Sequence, residues 1–311
     1  MGEHSEHGAG NGYQEVVTYC SHELWVSEEN RERNCGLTRQ KDRQPQLFQG
    51  IGVDLRPNPH KPLTNASHGG FTFNMPRLSF TFPGSFPIVV GSVGDPAALA
   101  EATPASLAGQ CDLAEIRLDL FHAEFLEKGN ALWRHLLAFP LLFTARCHAE
   151  GSPFELDLST RISLLRAALP DACMIDIEAV SAPHMKGLIS EIAAQEIPWI
   201  ASYHNFNGLP SMRELTTHAK IARKAGAAAF KTAAHLRTPD ELAALARFQM
   251  SDQGIPLSTM GMGGLAPVSR LLCAQAGSVL NYGFVGENTT APGQWTAKRL
   301  RECIQSLKPI S

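Results

Sequence analysis

Lys231 sits in the middle of residues 227–234, a short, apolar, small-residue stretch that reads as a buried strand. A lysine is rarely buried unless it is paired or put to use. Desolvation disfavours its ammonium form, and a neutral amine in a small-residue pocket suits carbonyl chemistry through a Schiff base. A lysine at a strand end that reaches out to water is the competing reading. This stretch by itself leaves both open.

Other chemistry-bearing residues recur with the same local pattern. Strand residues two apart share a face, so Glu115, Arg117 and Asp119 lie opposite Ile116, Leu118 and Leu120. Thr144 and Arg146 share a face, with Glu150 four residues on; so do Asp176 and Glu178, and Ser202 and His204. An internally paired structural network would use such residues as well. Polar groups near five consecutive strand ends favour a site, with His204 as acid–base partner to the inward lysine. Met260 and Met262 share a face of the next strand, as core or as ligand contacts. Arg270 falls in the first turn of an expected helix, where the macrodipole disfavours a cation. A bound carboxylate or phosphate would relieve that conflict; a solvent-facing arginine is the alternative. Residues 287–294 form a loop able to close over a mouth.

These residues need elements to hold them. From about residue 86, short apolar runs alternate with amphipathic segments of helical length, which predicts βα units and a parallel sheet. Strands are expected at 87–93, 114–120, 141–146, 173–179, 199–204, 228–233, 256–262 and 279–285. Helices are expected at 95–108, 123–138, 154–169, 183–195, 211–225, 239–248, 267–276 and 295–307. Thr238-Pro239-Asp240-Glu241 supplies a cap, an N1 proline and first-turn acids. Eight repeats predict a (β/α)8 barrel, which gathers its active site at the C-terminal ends of the strands. A doubly wound open sheet is the alternative, but no G-x-G-x-x-G follows the first strand.

Composition fits this picture. The chain has 311 residues, 44% hydrophobic and 18% charged, with a net charge of −3 that gives no general argument for nucleic acid or an anionic membrane. No apolar run approaches a membrane helix and no signal-peptide core is present, so the cytoplasm is the expected compartment. The seven cysteines are scattered without a C-x-x-C spacing, which argues against a disulfide framework or structural zinc. Residues 1–74 are polar and rich in Gly, His, Pro and Asn. They are expected to form a disordered leader before a catalytic domain at 75–311. Met75 stands as an alternative translation start.

Taken together, the motifs resemble type I 3-dehydroquinate dehydratase, the Schiff-base enzyme of the shikimate pathway. The pieces are Glu115-Ile-Arg117-Leu-Asp119, Phe143-Thr-Ala-Arg146 with Glu150, and Met174-Ile-Asp176-Ile-Glu178. Then come Ser202-Tyr-His204-Asn-Phe206, Phe230-Lys231, Met260-Gly-Met262, Val268-Ser-Arg270-Leu and Ala291-Pro-Gly-Gln294. The resemblance implies a TIM barrel in which Lys231 forms an imine with the C3 ketone of 3-dehydroquinate. His204 would remove the C2 proton and return it to the departing hydroxyl, with Glu178 orienting it. Arg270 would hold the substrate carboxylate. Glu115, Arg117 and Arg146 would bind ring hydroxyls, Thr290 and Gln294 would reach substrate from the closing loop, and Met262 would pack on the ring. Asp119, Glu150 and Asp176 would support them. Neither metal nor cofactor is implied; a homodimer is. Thr290 stands where serine is usual in the family and Tyr282, also expected to line the pocket, where phenylalanine is. Either Gly91 or Ser92 matches the family's serine on the first strand. A class I aldolase and a regulator that binds dehydroquinate or quinate without turnover remain as alternatives.

Overall fold

The computed structural model describes Leu78, Phe80 and residues 87–308. The expected leader and its boundary at residue 75, with Met75, lie outside the described residues. Eight parallel strands form the barrel expected from the repeats: β1 (Ile88–Val93), β2 (Leu113–Arg117), β3 (Leu141–Thr144), β4 (Met174–Glu178), β5 (Trp199–Asn205), β6 (Ala229–His235), β7 (Leu257–Met262) and β8 (Leu280–Val285). The hydrogen-bonded order runs β7-β6-β5-β4-β3-β2-β1-β8. The seam between β7 and β8 is narrowed by a few bonds. Val279 N donates to Leu257 O at 2.9 Å, Ser258 Oγ to Leu280 O at 2.6 Å, and Thr259 N to Ser278 Oγ at 3.3 Å.

The helices are α1 (Pro96–Glu101), α2 (Pro104–Ala108), α3 (His122–Lys128), α4 (Leu158–Ala168), α5 (Lys186–Ala194), α6 (Met212–Lys224), α7 (Pro239–Gln249), α8 (Ala266–Gln275) and α9 (Ala297–Gln305). The start of α7 follows the predicted capping box, with Thr238 and Glu241 satisfying each other's backbone N–H groups. Two expected helices are interrupted. The 95–108 helix breaks at Thr103, which is extended and caps α2 ahead of Pro104; a residue before proline is driven out of the helical region. The 123–138 helix ends at Gly129 (φ +53°) and continues as two 3-10 turns.

Alternation along the strands divides the core. Outward-facing Ile116, Phe143, Ile175, Ala201 and Phe230 pack with the helix-side residues Trp133, Leu164, Leu188, Leu215 and Phe248. Inward-facing Ile88, Leu113, Leu142, Met174, Ile200 and Leu280 belong to a second apolar cluster, against which Leu78 and Phe80 pack. One strand layer further along, the inner face turns polar, with Glu115, Thr144, Asp176, Ser202 and Lys231 all buried. The apolar layer therefore acts as the floor beneath the candidate site.

Candidate active site

Strand register sets the depth of each group. Lys231 on β6 pairs with Ser202 on β5, and Ser202 in turn with Glu178 on β4. His204 lies two residues nearer the strand ends than Ser202. Lys231 is only 4% exposed, and its Nζ lies 3.1 Å from Asp176 Oδ2 and 3.9 Å from Glu115 Oε1. On its other side Nζ faces the Tyr282 ring, 3.9 Å from the centroid, a cation–π contact. The buried reading of Lys231 is the one the fold realises.

Asp176 links the lysine to a guanidinium. Arg146 Nη2 donates to Asp176 Oδ1 at 3.0 Å and Nη1 to Ser202 Oγ at 2.6 Å. Burial alone would raise the Asp176 carboxyl, but Arg146 and Lys231 outweigh it and bring the pKa down to about 2. Glu115 accepts from Ser92 Oγ and from Thr144 Oγ1, the latter at 2.7 Å. Ser92 lines the cavity, whereas the space a side chain at Gly91 would occupy is filled by Cys111 and Val285. Ser92 is therefore the first-strand residue that faces the site. Arg117 makes a two-point contact with Asp119, at 2.9 and 2.7 Å.

His204 is oriented by Glu150, in the short turn that follows β3. Glu150 Oε2 accepts the His204 backbone N–H at 2.9 Å and lies 2.9 Å from Nδ1. An oxygen that already accepts one N–H is suited to accept a second, so Nδ1 carries the proton and Nε2 keeps its lone pair. Burial lowers the His204 pKa, and the charges of Arg146, Lys231 and Arg117 lower it further, so the imidazole is neutral. Burial pushes the Glu150 carboxyl up to about 8, with Arg146 opposing and Glu178 adding to the rise.

The expectation that Glu178 orients His204 is corrected by this geometry. Glu178 Oε1 accepts from Cys147 N at 2.8 Å and pairs with Arg146 at 3.3 Å, while Oε2 pairs with Arg161 at 3.3 Å. Both its oxygens are thus committed away from the imidazole. Arg270 also differs from expectation. Because α8 begins at Ala266, Arg270 lies beyond the first turn, and its side chain is buried rather than solvent-facing. Nη1 donates to Tyr282 O at 2.6 Å, and no carboxylate pairs with the guanidinium among the described residues. Burial lowers its pKa to about 10. A buried cation without a counter-ion suits an anionic ligand.

Glu115, Arg117, Arg146, His204, Lys231, Met262, Arg270, Tyr282, Thr290 and Gln294 line one cavity of about 480 Å³, measured out to its open mouth. Of the residues expected to catalyse or to touch substrate, Glu178 is the one outside the lining. Gly151 and Phe206, to which no role was assigned from sequence, also line it. The Phe206 ring fills the space where Gly151 would carry a side chain. The closing loop lies over the mouth, with Thr290 N and Oγ1 both donating to Gln294 Oε1, at 3.1 and 2.8 Å.

A family model described as type I 3-dehydroquinase matches residues 88–311. The chain belongs to that family. The match begins at β1 and spans every element of the barrel. One relative is a 3-dehydroquinate dehydratase from Methanothrix thermoacetophila, 33% identical over 221 residues that cover 71% of this chain and 92% of the relative. Another is a catabolic 3-dehydroquinate dehydratase from Acinetobacter baylyi, 28% identical, covering 68% of this chain and 82% of the relative. Among solved structures, 3-dehydroquinate dehydratase from Geobacillus kaustophilus superposes with a TM-score of 0.65 at 27% identity, covering 71% of this chain and 91% of that one. Enzymes of that name in the type I 3-dehydroquinase family are hydro-lyases. No helix among the described residues is long and apolar enough to cross a membrane.

Proposed function

We propose that the protein is a 3-dehydroquinate dehydratase acting through an imine on Lys231. The observation that carries the reading is a buried lysine amine sharing a cavity with a neutral histidine that Glu150 orients. Lys231 Nζ, once deprotonated, adds to the C3 ketone, and loss of water gives the iminium. The iminium nitrogen then carries its positive charge beside Asp176 and the Tyr282 face. That nitrogen draws electrons from C2. His204 Nε2 takes the C2 proton, the enamine expels the C1 hydroxyl, and the protonated imidazole returns the proton so that water leaves. Hydrolysis of the imine frees 3-dehydroshikimate and Lys231.

Arg270 is the partner for the substrate carboxylate. Glu115, Arg117 and Arg146 face the ring hydroxyls, Met262 packs on the ring, and Thr290 and Gln294 close the mouth. Glu150 is the positioning residue for His204, a role the family resemblance had assigned to Glu178. A cytoplasmic homodimer is part of the same proposal; sedimentation of the purified chain as a monomer would remove the dimer from it.

Incubation with 3-dehydroquinate and borohydride, followed by peptide mass mapping, tests the chemistry. The expected result is a reduced adduct on Lys231, with enone absorbance from 3-dehydroshikimate in unreduced samples. Absence of both would refute the reading. Lys231→Ala is expected to abolish turnover while the circular dichroism spectrum is retained.

A further inference from the structure

The Tyr282 hydroxyl is buried at the cavity and has no hydrogen-bond partner among the described residues. Two contacts fix the residue around it. Its backbone oxygen accepts from Arg270 Nη1 at 2.6 Å, and its ring face carries Lys231 Nζ at 3.9 Å from the centroid. The hydroxyl therefore projects from the edge of the ring that the reactive amine covers. A phenylalanine would fill the same space without the buried polar atom, so the hydroxyl costs the folded state something that a ligand oxygen in the cavity can return.

The sign of the missing partner follows from the surroundings. Burial raises the phenol pKa, and the Glu115 and Asp176 carboxylates raise it further, so the group stays protonated and donates. Its complement is an oxygen acceptor on whatever occupies the cavity. Because one ring both carries the hydroxyl and faces Nζ, an oxygen on the carbon that Nζ attacks would lie on the same side of the cavity as the hydroxyl.

We infer that Tyr282 is a specificity-determining residue, its hydroxyl donating a hydrogen bond to the oxygen substituent on the ring carbon that meets Lys231. The inference rests on the dehydratase reading above. When Nζ adds to the carbonyl carbon, the C=O π pair moves to oxygen, which takes the proton that the amine nitrogen gives up and becomes the carbinolamine hydroxyl. A second proton, from solvent at the open mouth, then lets that oxygen leave as water as the iminium forms. Tyr282 holds the oxygen throughout without a net change in its own protonation. A pocket so built discriminates by the presence of that oxygen, since its loss leaves the phenol unpaired.

Quinate, with a hydroxyl at C3, and 3-deoxyquinate, without it, are the probes. Each is titrated calorimetrically into the wild type and Tyr282→Phe, whose fold is checked by circular dichroism. The substitution is expected to weaken quinate about 5–20-fold and 3-deoxyquinate less than about twofold. Equal weakening of both probes, an unchanged quinate affinity, or no quinate binding to the wild type would overturn the inference. Borohydride trapping of the wild type separates the two failures. If Lys231 is labelled and the probe comparison is flat, the role of Tyr282 alone falls; if Lys231 is unlabelled, the reading beneath it falls as well.

Discussion

Glu150 and Glu178 are both buried, both near Arg146, and only one of them touches the imidazole. The distinction was not legible in the sequence. Glu178 has the more suggestive position, at the end of a strand and on the inward face, whereas Glu150 stands in a loop. It reaches His204 only because the turn after β3 leans across β4 towards β5, a long-range placement that no local spacing encodes. Removing the ionisable group and one of its two acceptor oxygens while keeping the shape should separate the roles. Glu150→Gln is expected to lower kcat about 100- to 1,000-fold with little change in KM, as expected for misplacing a general base. Glu178→Gln is expected to lower the melting temperature by several degrees, because it weakens the pairs to Arg146 and Arg161. A Glu178→Gln enzyme as inactive as Glu150→Gln, yet fully stable, would reverse the assignment. The same carboxyl gives a pH signature. His204 has a folded pKa below its ordinary 6.5, so the unfolded chain takes up that proton first and stability falls as pH drops below about 6.5. Glu150, raised from 4.5 to about 8, takes up its proton first in the folded state, so stability falls as pH climbs through that interval. The two slopes oppose each other up to about 6.5, and from there to about 8 Glu150 acts alone of the pair. The wild type should lose stability across that upper interval and Glu150→Gln should not; parallel denaturant-melt profiles would sink the idea.

At the scale of elements, the alternation of side chains in the strands made most of the barrel readable. Every expected strand is present, and its inward charges fall into layers because the period of two is imposed by the backbone. The helices were less legible because their breaks depend on single residues. Thr103-Pro104 and Gly129 are ordinary interruption signals, outweighed in the sequence reading by the apolar pattern on either side. The closing loop is where an element's fit can be tested. At Gly94 an added Cβ would lie 2.5 Å from Thr290 Cγ2, so the loop seats its threonine methyl against a bare backbone at the end of β1. Gly263 N donates to Pro292 O at 3.1 Å and anchors the far side of the loop. Gly94→Ala should lift Thr290 and loosen the Thr290–Gln294 contact, raising KM about tenfold with a smaller effect on kcat. Adding Thr290→Ser removes the methyl that clashes. The double variant should return to within about threefold of Thr290→Ser alone, and additive losses would show that the loop does not seat in this way.

Across the whole molecule, the apolar floor and the helix-facing core stabilise a barrel whose polar mouth works against it. Most buried charges there are paired: Arg117 with Asp119, Arg146 with Asp176 and Glu178, Lys231 with Asp176. Arg270 is the exception that matters for function. It is 1% exposed, held by one strong bond to Tyr282 O and a contact of 3.4 Å to Met260 Sδ, and its Nε has no partner among the described residues. Its pKa, lowered to about 10, reports the same cost of holding an uncompensated charge away from water. Under the proposed function such a charge serves a site for an anion, and stability is given up to keep it. Methionine matches much of the side-chain volume without the charge. Its gain is reduced by the lost bond to Tyr282 O, which leaves a net stabilisation of about 1–2 kcal/mol. Arg270→Met should therefore melt about 2–8 °C above the wild type in the absence of ligand. Saturating quinate should raise the melting temperature of the wild type and leave that of Arg270→Met nearly unmoved, because the carboxylate has lost its partner. A variant that melts below the wild type would make Arg270 a structural residue. A variant that gains as much from quinate as the wild type would place the carboxylate elsewhere in the cavity.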